Sequence, residues 1–517
     1  MTTIWLTLPV VVSLLTAVAI FCAKRRNDLV DVISSTSAVS VPVIAALLTH
    51  DVIQSGLQAV AFGQWAAPFG IVFVADYLAA AMVMVTSIIG VISVFYAKAD
   101  LQDKRSYGTF HALIHVLLAG VYGAFLTGDI FNLYVWFEVM LIASFGLMVL
   151  DGSKKQVDGA VKYVMLNLIS TLVFLLAIGL LYGATGTLNL ADLHAKAGLI
   201  PPDTKTLLAA LFLFAFAIKA ALFPVFAWLP ASYHTLPSAV VALFAALLTK
   251  VGVYALIRTF TLVFPLSESG WQPTLMWVAG LTMLTGVLGA ASQQNIKKIL
   301  SFHIISQIGY MIMGLAVYTP IAIAGAVFYI IHHILVKANL FLIGGFIERK
   351  YGSSNLKQLG GVYKAMPWLA FLFLISAFSL AGFPPLSGFW GKFLVIKASL
   401  QTEHYWLAGS ALLVGLLTVF SMTKIWNEVF WKAAPQGVEE KPIAQPTKWL
   451  YCAPIAILTA LSLTIGLAAE PLYQFAVEAA EQLLEPQDYI QAVLGESRVE
   501  HDSGLTRFVE KTTGGSQ

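Results

Sequence analysis

Ala221-Leu-Phe-Pro-Val-Phe-Ala-Trp-Leu-Pro230 and Ala381-Gly-Phe-Pro-Pro-Leu-Ser-Gly388 each interrupt a long apolar run. Proline removes an amide donor and clashes with the preceding helical turn. In lipid such a break is tolerated only where the freed groups are buried in protein or line water. Counting apolar runs along the chain, the first break falls in the seventh and the second in the twelfth. The two lie five spans apart, and an odd offset means opposite topology. That is the pattern of an inverted repeat built on broken helices, frequent in transporters.

The rest of the chain agrees with a polytopic, all-α membrane protein. Hydrophobic residues make up 59% of the 517 residues and charged residues only 11%, against about 25% charged in soluble proteins. A helical span needs roughly 20 apolar residues. Fourteen stretches qualify: 4–22, 30–49, 71–97, 108–127, 129–150, 160–185, 206–228, 238–263, 273–292, 298–317, 320–347, 366–398, 405–431 and 449–469. The second is the most polar, with Ser34, Ser35, Thr36, Ser37 and Ser40. The basic cluster Lys24-Arg25-Arg26 follows the first apolar run instead of preceding it, so that run reads as an uncleaved span. The net charge of +3 is dispersed and gives no case for nucleic acid. Cys22 and Cys452 form no CxxC pair and read as two small hydrophobes, with no metal or cofactor expected.

Lysines and arginines set the orientation. Lys24, Arg25 and Arg26, then Lys98, Lys104 and Arg105, Lys154, Lys155 and Lys162, Lys297 and Lys298, Arg349, Lys350, Lys357 and Lys364, and Lys432, Lys441 and Lys448 all fall at odd-numbered connections. Even-numbered ones carry little beyond Lys196 and Lys205. The odd connections are therefore expected in the cytoplasm, with both termini outside. The acidic tail (Glu478, Glu481, Glu485, Asp488, Glu496, Glu500 and Asp502) suggests a short amphipathic helix that then frays.

Ionisable residues inside the spans carry the functional signal. Glu138 sits about nine residues into the fifth span, near 13 Å deep at ~1.5 Å per residue. Lys219 precedes the first break, Lys250 is mid-span in the eighth, His332, His333 and Lys337 lie on the eleventh, and Lys392 follows the second break. Each costs roughly 2.5–3.5 kcal/mol at a span centre, so together they call for a hydrated interior or mutual pairing. A low-dielectric site disfavours the charged form, and a nearby opposite charge favours it. A Glu138–Lys219 pair of variable separation would thus be a proton-moving element; a static ion pair is the plainer alternative. His333 and Lys337 are four apart and share a helix face. Lys250 as a snorkelling residue, His332 as a packed histidine and Lys392 as an interfacial anchor are the corresponding structural readings. Ser301, His303, Ser306 and Gln307 in the tenth span, and Ser376, Ser379 and Ser387 near the second break, extend the polar line. Lys424 and Glu428, four apart, are expected to pair. Asp76 lies near the outer end of the third span.

Several segments together resemble a known family. They are Asn132-Leu-Tyr-Val-Trp-Phe-Glu138, Lys219-Ala-Ala-Leu-Phe-Pro224, Pro237-Ser-Ala-Val-Val-Ala-Leu243, Ile299-Leu-Ser-Phe-His303, His333-Ile-Leu-Val-Lys337 and Phe383-Pro-Pro-Leu-Ser-Gly-Phe-Trp-Gly-Lys392. This order is similar to the antiporter-like subunits shared by respiratory complex I and multisubunit Mrp cation/proton antiporters, over roughly 65–430, and most of all to the D-type Mrp subunits. The resemblance implies two half-channels joined by a hydrated axis. It implies inverted five-helix repeats over 108–263 and 273–431, flanked by N-terminal helices (1–107) and a last span with an acidic tail (432–517). It implies proton translocation through Glu138, Lys219, Lys250, His333 and Lys392; Lys337, on the face of His333, joins them on the residue reading above, with His303, Ser306, Gln307 and His332 as secondary polar groups. It also implies exchange of Na⁺ (K⁺ or Li⁺ as alternatives) for H⁺, partner membrane subunits, surrounding lipid and a bacterial cell membrane. A proton-pumping subunit of complex I or of a membrane-bound hydrogenase is the alternative. The twelfth-span residue is lysine, where some relatives carry glutamate. The chain also lacks the long lateral helix of the largest complex I pump subunit.

Overall fold

The computed structural model describes residues 4–65, 69–101, 106–435, 441–443 and 445–495. Lys104, Arg105, Glu496, Glu500 and Asp502, used above for orientation and the tail, lie outside the described residues. Among the described residues, twelve helices are long and apolar enough to cross a membrane. The remaining two of the fourteen expected spans are the interrupted ones. The seventh is Pro202–Ala220, followed after the break by the short helix Trp228–Ser232. The twelfth is split into Pro367–Ala381 and Ser387–Gln401. The eighth (Ser238–Leu262), tenth (Ile296–Val317) and eleventh (Pro320–Tyr351) form the buried centre, each with 94% of its apolar window enclosed. The first, second, sixth and last spans keep broad apolar faces exposed, as helices facing lipid must.

Two features depart from the expectation. A small antiparallel hairpin, Gln58–Ala61 with Val72–Ala75, precedes the third span, which begins only at Tyr77. Its strands lie between spans, so the all-α class holds for the membrane part. Lys424 does not pair with Glu428. It donates to the carbonyls of Ala291 (3.0 Å) and Gln293 (2.5 Å), while Glu428 pairs with Lys432 at 2.6 Å. The turn Trp426–Trp431 is π-helical, and its wider winding takes residue 428 off the face of residue 424. The acidic tail does begin as helix, Glu470–Leu484 and then Gln487–Leu494. Cys22 is exposed and Cys452 half-buried, both unpaired.

The sixth and eleventh spans, Lys154–Thr185 and Pro320–Tyr351, are both 32 residues long. They match at a constant spacing of 166 residues, which the cap residues keep: Ser153 and Thr319 at the N-caps, Gly186 and Gly352 in left-handed C-caps. The spans before them are capped by Asp129 and Asn295. The same spacing relates the isolated bridges Asp129–Asn189 and Asn295–Asn355.

The two breaks share a second geometry. In the first, the Leu222 amide donates to Ala217 (2.9 Å) and Ala221 to Ile218 (3.1 Å); in the second, Phe383 donates to Phe378 (3.0 Å) and Gly382 to Ser379 (3.1 Å). Both are Schellman endings, which satisfy orphan carbonyls through one residue of positive φ. Ala221 fills that position in the first break (φ 58) and Gly382 in the second (φ 94).

Candidate functional site

Each break ends a half-helix inside the bundle, and the carbonyl end of a helix carries about half a negative charge. A lysine sits at each such end. Lys219 lies in the last turn of Pro202–Ala220. Its ammonium is buried, 3.3 Å from Thr171 Oγ1 and 3.5 Å from the Asn167 carbonyl, and 5.4 Å from the Phe137 ring. Lys392 reaches back across the second break to donate to the carbonyls of Leu380 (3.0 Å) and Ala381 (3.1 Å). In the first break the Trp228 indole does comparable work, donating to the Ile218 carbonyl at 3.0 Å.

Glu138 projects from the fifth span (Ile130–Met148) toward this region. Its Oε1 is buried without a hydrogen-bond partner. No ion pair joins it to Lys219 among the described residues. Beside them lies a cavity of about 20 Å³, lined by Phe137, Tyr163, Asn167, Lys219 and Trp228 among others. That is room for about one water molecule. The static ion pair is therefore not the arrangement seen.

The centre is more crowded with basic side chains. Lys250 is wholly buried and bends back to the Ala245 carbonyl (2.5 Å) and Thr249 Oγ1 (3.3 Å). Lys337 is wholly buried with no partner on its ammonium, and both ring nitrogens of His333 are likewise unpartnered. The eleventh span carries five such atoms in eight residues: His332 Nε2, His333 Nδ1 and Nε2, Lys337 Nζ and Asn339 Oδ1. Unmade hydrogen bonds at buried groups cost about 1–3 kcal/mol each, so a cluster of them marks a place built for mobile hydrogen-bond partners.

The second half gathers around Tyr329, which the sequence reading did not single out. Its hydroxyl donates to Gln307 Oε1. Its ring lies 5.2 Å from His332, 6.2 Å from His333 and 5.9 Å from the Lys392 ammonium. Tyr310 faces Lys392 at 4.5 Å. Gln307 donates to Ser306 at 2.8 Å, and His303 meets Ser421 at 2.5 Å. Ser301 is satisfied by its own helix, at the Lys297 carbonyl. Asp76, noted at the end of the third span, pairs with Arg258 at 2.6 Å. That arginine was missed, as was Tyr163, which meets Ser144 at 2.8 Å. A tyrosine three or four residues from a buried histidine, as Tyr329 is, was the one available hint.

The spacing of 166 residues extends to the chemistry. Asn167 and Thr171 on the sixth span, which contact Lys219, correspond to His333 and Lys337 on the eleventh. Tyr163 corresponds to Tyr329.

Comparison with known proteins agrees with this geometry. The NADH:quinone oxidoreductase/Mrp antiporter transmembrane family matches residues 127–420, which hold both breaks and the ionisable residues from Glu138 to Lys392. A D-type Na(+)/H(+) antiporter subunit from Alkalihalophilus pseudofirmus is 48% identical over 95% of this chain and 99% of its own. A chain of the Mrp complex from Dietzia sp. superposes with a TM-score of 0.89 at 34% identity, covering 96% of this chain and 99% of that one. A chain of respiratory complex I from Thermus thermophilus gives 0.76 at 25% identity, covering 94% and 100%. On the matched segment and on the near-full-length relatives, the chain belongs to the NADH:quinone oxidoreductase/Mrp antiporter transmembrane family.

Proposed function

We propose that the chain is the proton-translocating subunit of a multisubunit Na⁺/H⁺ antiporter. Protons would pass along Glu138, Lys219, Lys250, Lys337 with His333, and then His332 and Lys392. The observation that carries the reading is the row of buried, unpartnered titratable atoms, from Glu138 Oε1 to His332 Nε2. Each of the two half-helix ends is occupied by a lysine. Approach of the Glu138 carboxylate holds the proton on Lys219, and separation releases it toward the centre. The arrangement seen is the separated one, with the ammonium resting on a neutral hydroxyl. A like charge nearby disfavours the charged form, so a proton gained at Lys250 or Lys392 would weaken the hold at Lys337.

The repeats run over 108–263 and 273–431 in this reading. The lysine-rich connections face the cytoplasm of a bacterial cell, and both chain termini lie outside. Na⁺ binding falls to partner membrane subunits, because Glu138 is the one carboxylate on the axis. The alternative, a pumping subunit of complex I or a hydrogenase, is less favoured: identity is 25% to the complex I chain but 48% to the antiporter relative.

The test is sodium-dependent proton flux in vesicles from an antiporter-deficient bacterium expressing the whole gene cluster. Glu138→Gln and Lys219→Ala should abolish flux while the complex still assembles. Flux surviving both changes would sink the role of the pair. Absence of sodium-dependent flux in the wild-type cluster would favour the redox-driven alternative.

A further inference from the structure

The last span, Gln445–Leu467, lies outside both repeats, yet it is seated directly on the second break. Gly466 makes that possible. A Cβ there would stand 2.6 Å from the Ser387 amide nitrogen and 2.7 Å from the Pro385 carbonyl oxygen. The Trp390 indole fixes the seat by donating to the Gly466 carbonyl at 2.9 Å.

One turn earlier on the same helix, Ser462 points into the bundle. Its hydroxyl lies 2.9 Å from that of Ser387 and 3.4 Å from that of Ser379. Ser379 and Ser387 are 2.8 Å apart, and Ser387 is 2.8 Å from His332 Nδ1. All four side chains are buried. The opposite ring nitrogen, His332 Nε2, is also buried and has no partner, and the ring borders Tyr329 at the heart of the second half.

Structural hydroxyls in membrane helices usually bond to their own backbone, four residues back. Thr459, one turn before Ser462, makes such a bond to the Ile455 carbonyl. Ser379, Ser387 and Ser462 instead bond to one another across three helical segments. Each hydroxyl offers one donor and two acceptor sites, so every member can accept a proton from one neighbour and give its own to the next.

We propose that His332, Ser387 and Ser462 form a proton relay that joins the buried axis to the outer face through the last span, with Ser379 holding the hydroxyls in register. The proposal rests on the reading of this chain as a proton carrier and adds a route to it. A proton taken up at His332 Nε2 leaves the ring from Nδ1 to the Ser387 oxygen. Ser387 passes its own proton to Ser462, and Ser462 passes its own to water. Rotation of the hydroxyls and return of the ring tautomer reset the chain, and no covalent bond other than O–H and N–H changes. From Ser462 the helix runs five residues to its end at Leu467, roughly 7–8 Å at the α-helical rise. This is the end opposite the lysine-rich connections.

The experiment uses the whole complex in vesicles, with sodium-driven proton flux as readout and Lys219→Ala as reference. Ser462→Ala should lower flux about a hundredfold, the low end of what a positioned proton-transfer group contributes, with the complex intact. Ser462→Thr keeps the hydroxyl and should restore flux to within about twofold of wild type on the same scale. Ser387→Ala should match Ser462→Ala, and the double variant should be no worse than either single one, as for two links of one chain. Full flux in Ser462→Ala, when Lys219→Ala is inactive, would overturn the relay but leave the proton-carrier reading standing. Full flux in both would overturn that reading itself. Equal loss in Ser462→Thr and Ser462→Ala would reduce Ser462 to packing. Should Ser462→Ala prevent assembly, Ser387→Ala decides the same question.

Discussion

The two halves of the membrane domain share a scaffold and differ in chemistry. Caps, bridges and the two 32-residue spans match at one spacing, and both breaks end in the same pair of backbone bonds. These features answer a demand common to both halves, the need to satisfy every backbone group inside lipid. The side chains answer different demands. In the first half Lys219 rests on the hydroxyl of Thr171 and the carbonyl of Asn167, with a carboxylate nearby. In the second, the positions of Asn167 and Thr171 hold His333 and Lys337 without protein partners, and Ile304 stands where Glu138 would fall. One half thus has an acid–base couple that can be opened and closed. The other has a set of basic side chains close together. On the proposed reading, the difference would give modulation to the first half and conduction to the second.

Making the halves alike should destroy function. Thr171→Lys copies the second half into the first and brings a second ammonium to the place Lys219 now bonds. Two like charges about 4 Å apart repel by about 4 kcal/mol at an effective dielectric of about 20. Sodium-driven proton flux should fall below about a tenth of wild type on that penalty. Thr171→Val removes the hydroxyl alone, worth about 1 kcal/mol, and flux should drop only severalfold. Equal effects from the two changes would show that the charge difference between the halves is immaterial.

The breaks offer a gentler comparison. Gly382 has φ 94 and Ala221 φ 58. A Cβ at residue 382 would also press to 2.9 Å from Lys392 Cδ. Gly382→Ala should therefore displace the lysine from the Leu380 and Ala381 carbonyls, lowering both flux and thermal midpoint. Ala221→Gly goes the other way. Relief of the left-handed conformation, about 1 kcal/mol, offsets the added freedom of the unfolded chain, so flux and midpoint should stay near wild type. Opposite outcomes would mean that the Schellman endings, alike in their hydrogen bonds, bear load differently.

Much of this was legible in the sequence because lipid imposes length and apolarity on each span. The first span was expected at 4–22 and is Ile4–Ala23, and the eleventh was expected at 320–347 and runs to Tyr351. Intramembrane charge is equally legible, since Glu138, Lys219 and Lys392 stand in apolar runs where an ionisable group is costly. Hydroxyls were not. Ser462 in Leu461-Ser-Leu-Thr464 looks like any serine satisfied by its own helix, and only the seating of Gly466 on Ser387 turns it inward. Arg258 and Asp76 lie far apart in sequence, so their pairing needed the fold. The expected Lys424–Glu428 pair failed because spacing in residues implies a face only while the helix stays α.

The smallest predicted difference lies in the caps. Asp129 and Asn295 cap the matching fifth and tenth spans, each accepting from the amide three residues on, Asn132 at 2.7 Å and Lys298 at 3.2 Å. Only the first can titrate. Burial pushes the Asp129 carboxyl from 3.8 up to about 6, against the downward pull of the Asn132 and Phe131 amides. A carboxyl raised on folding holds its proton more tightly in the folded state, so folding is favoured most below the unfolded value and loses that advantage as pH rises through about 4 to 6. Asp129→Asn keeps the cap, since asparagine and aspartate cap about equally well, and removes the titration. The thermal midpoint of the purified protein should then fall less between pH 4 and 7 than in wild type. The difference should be on the order of 1 kcal/mol once water reaching the loop is counted. Parallel pH profiles would place the carboxylate in a wetter setting than its burial implies, and would make the two caps equivalent.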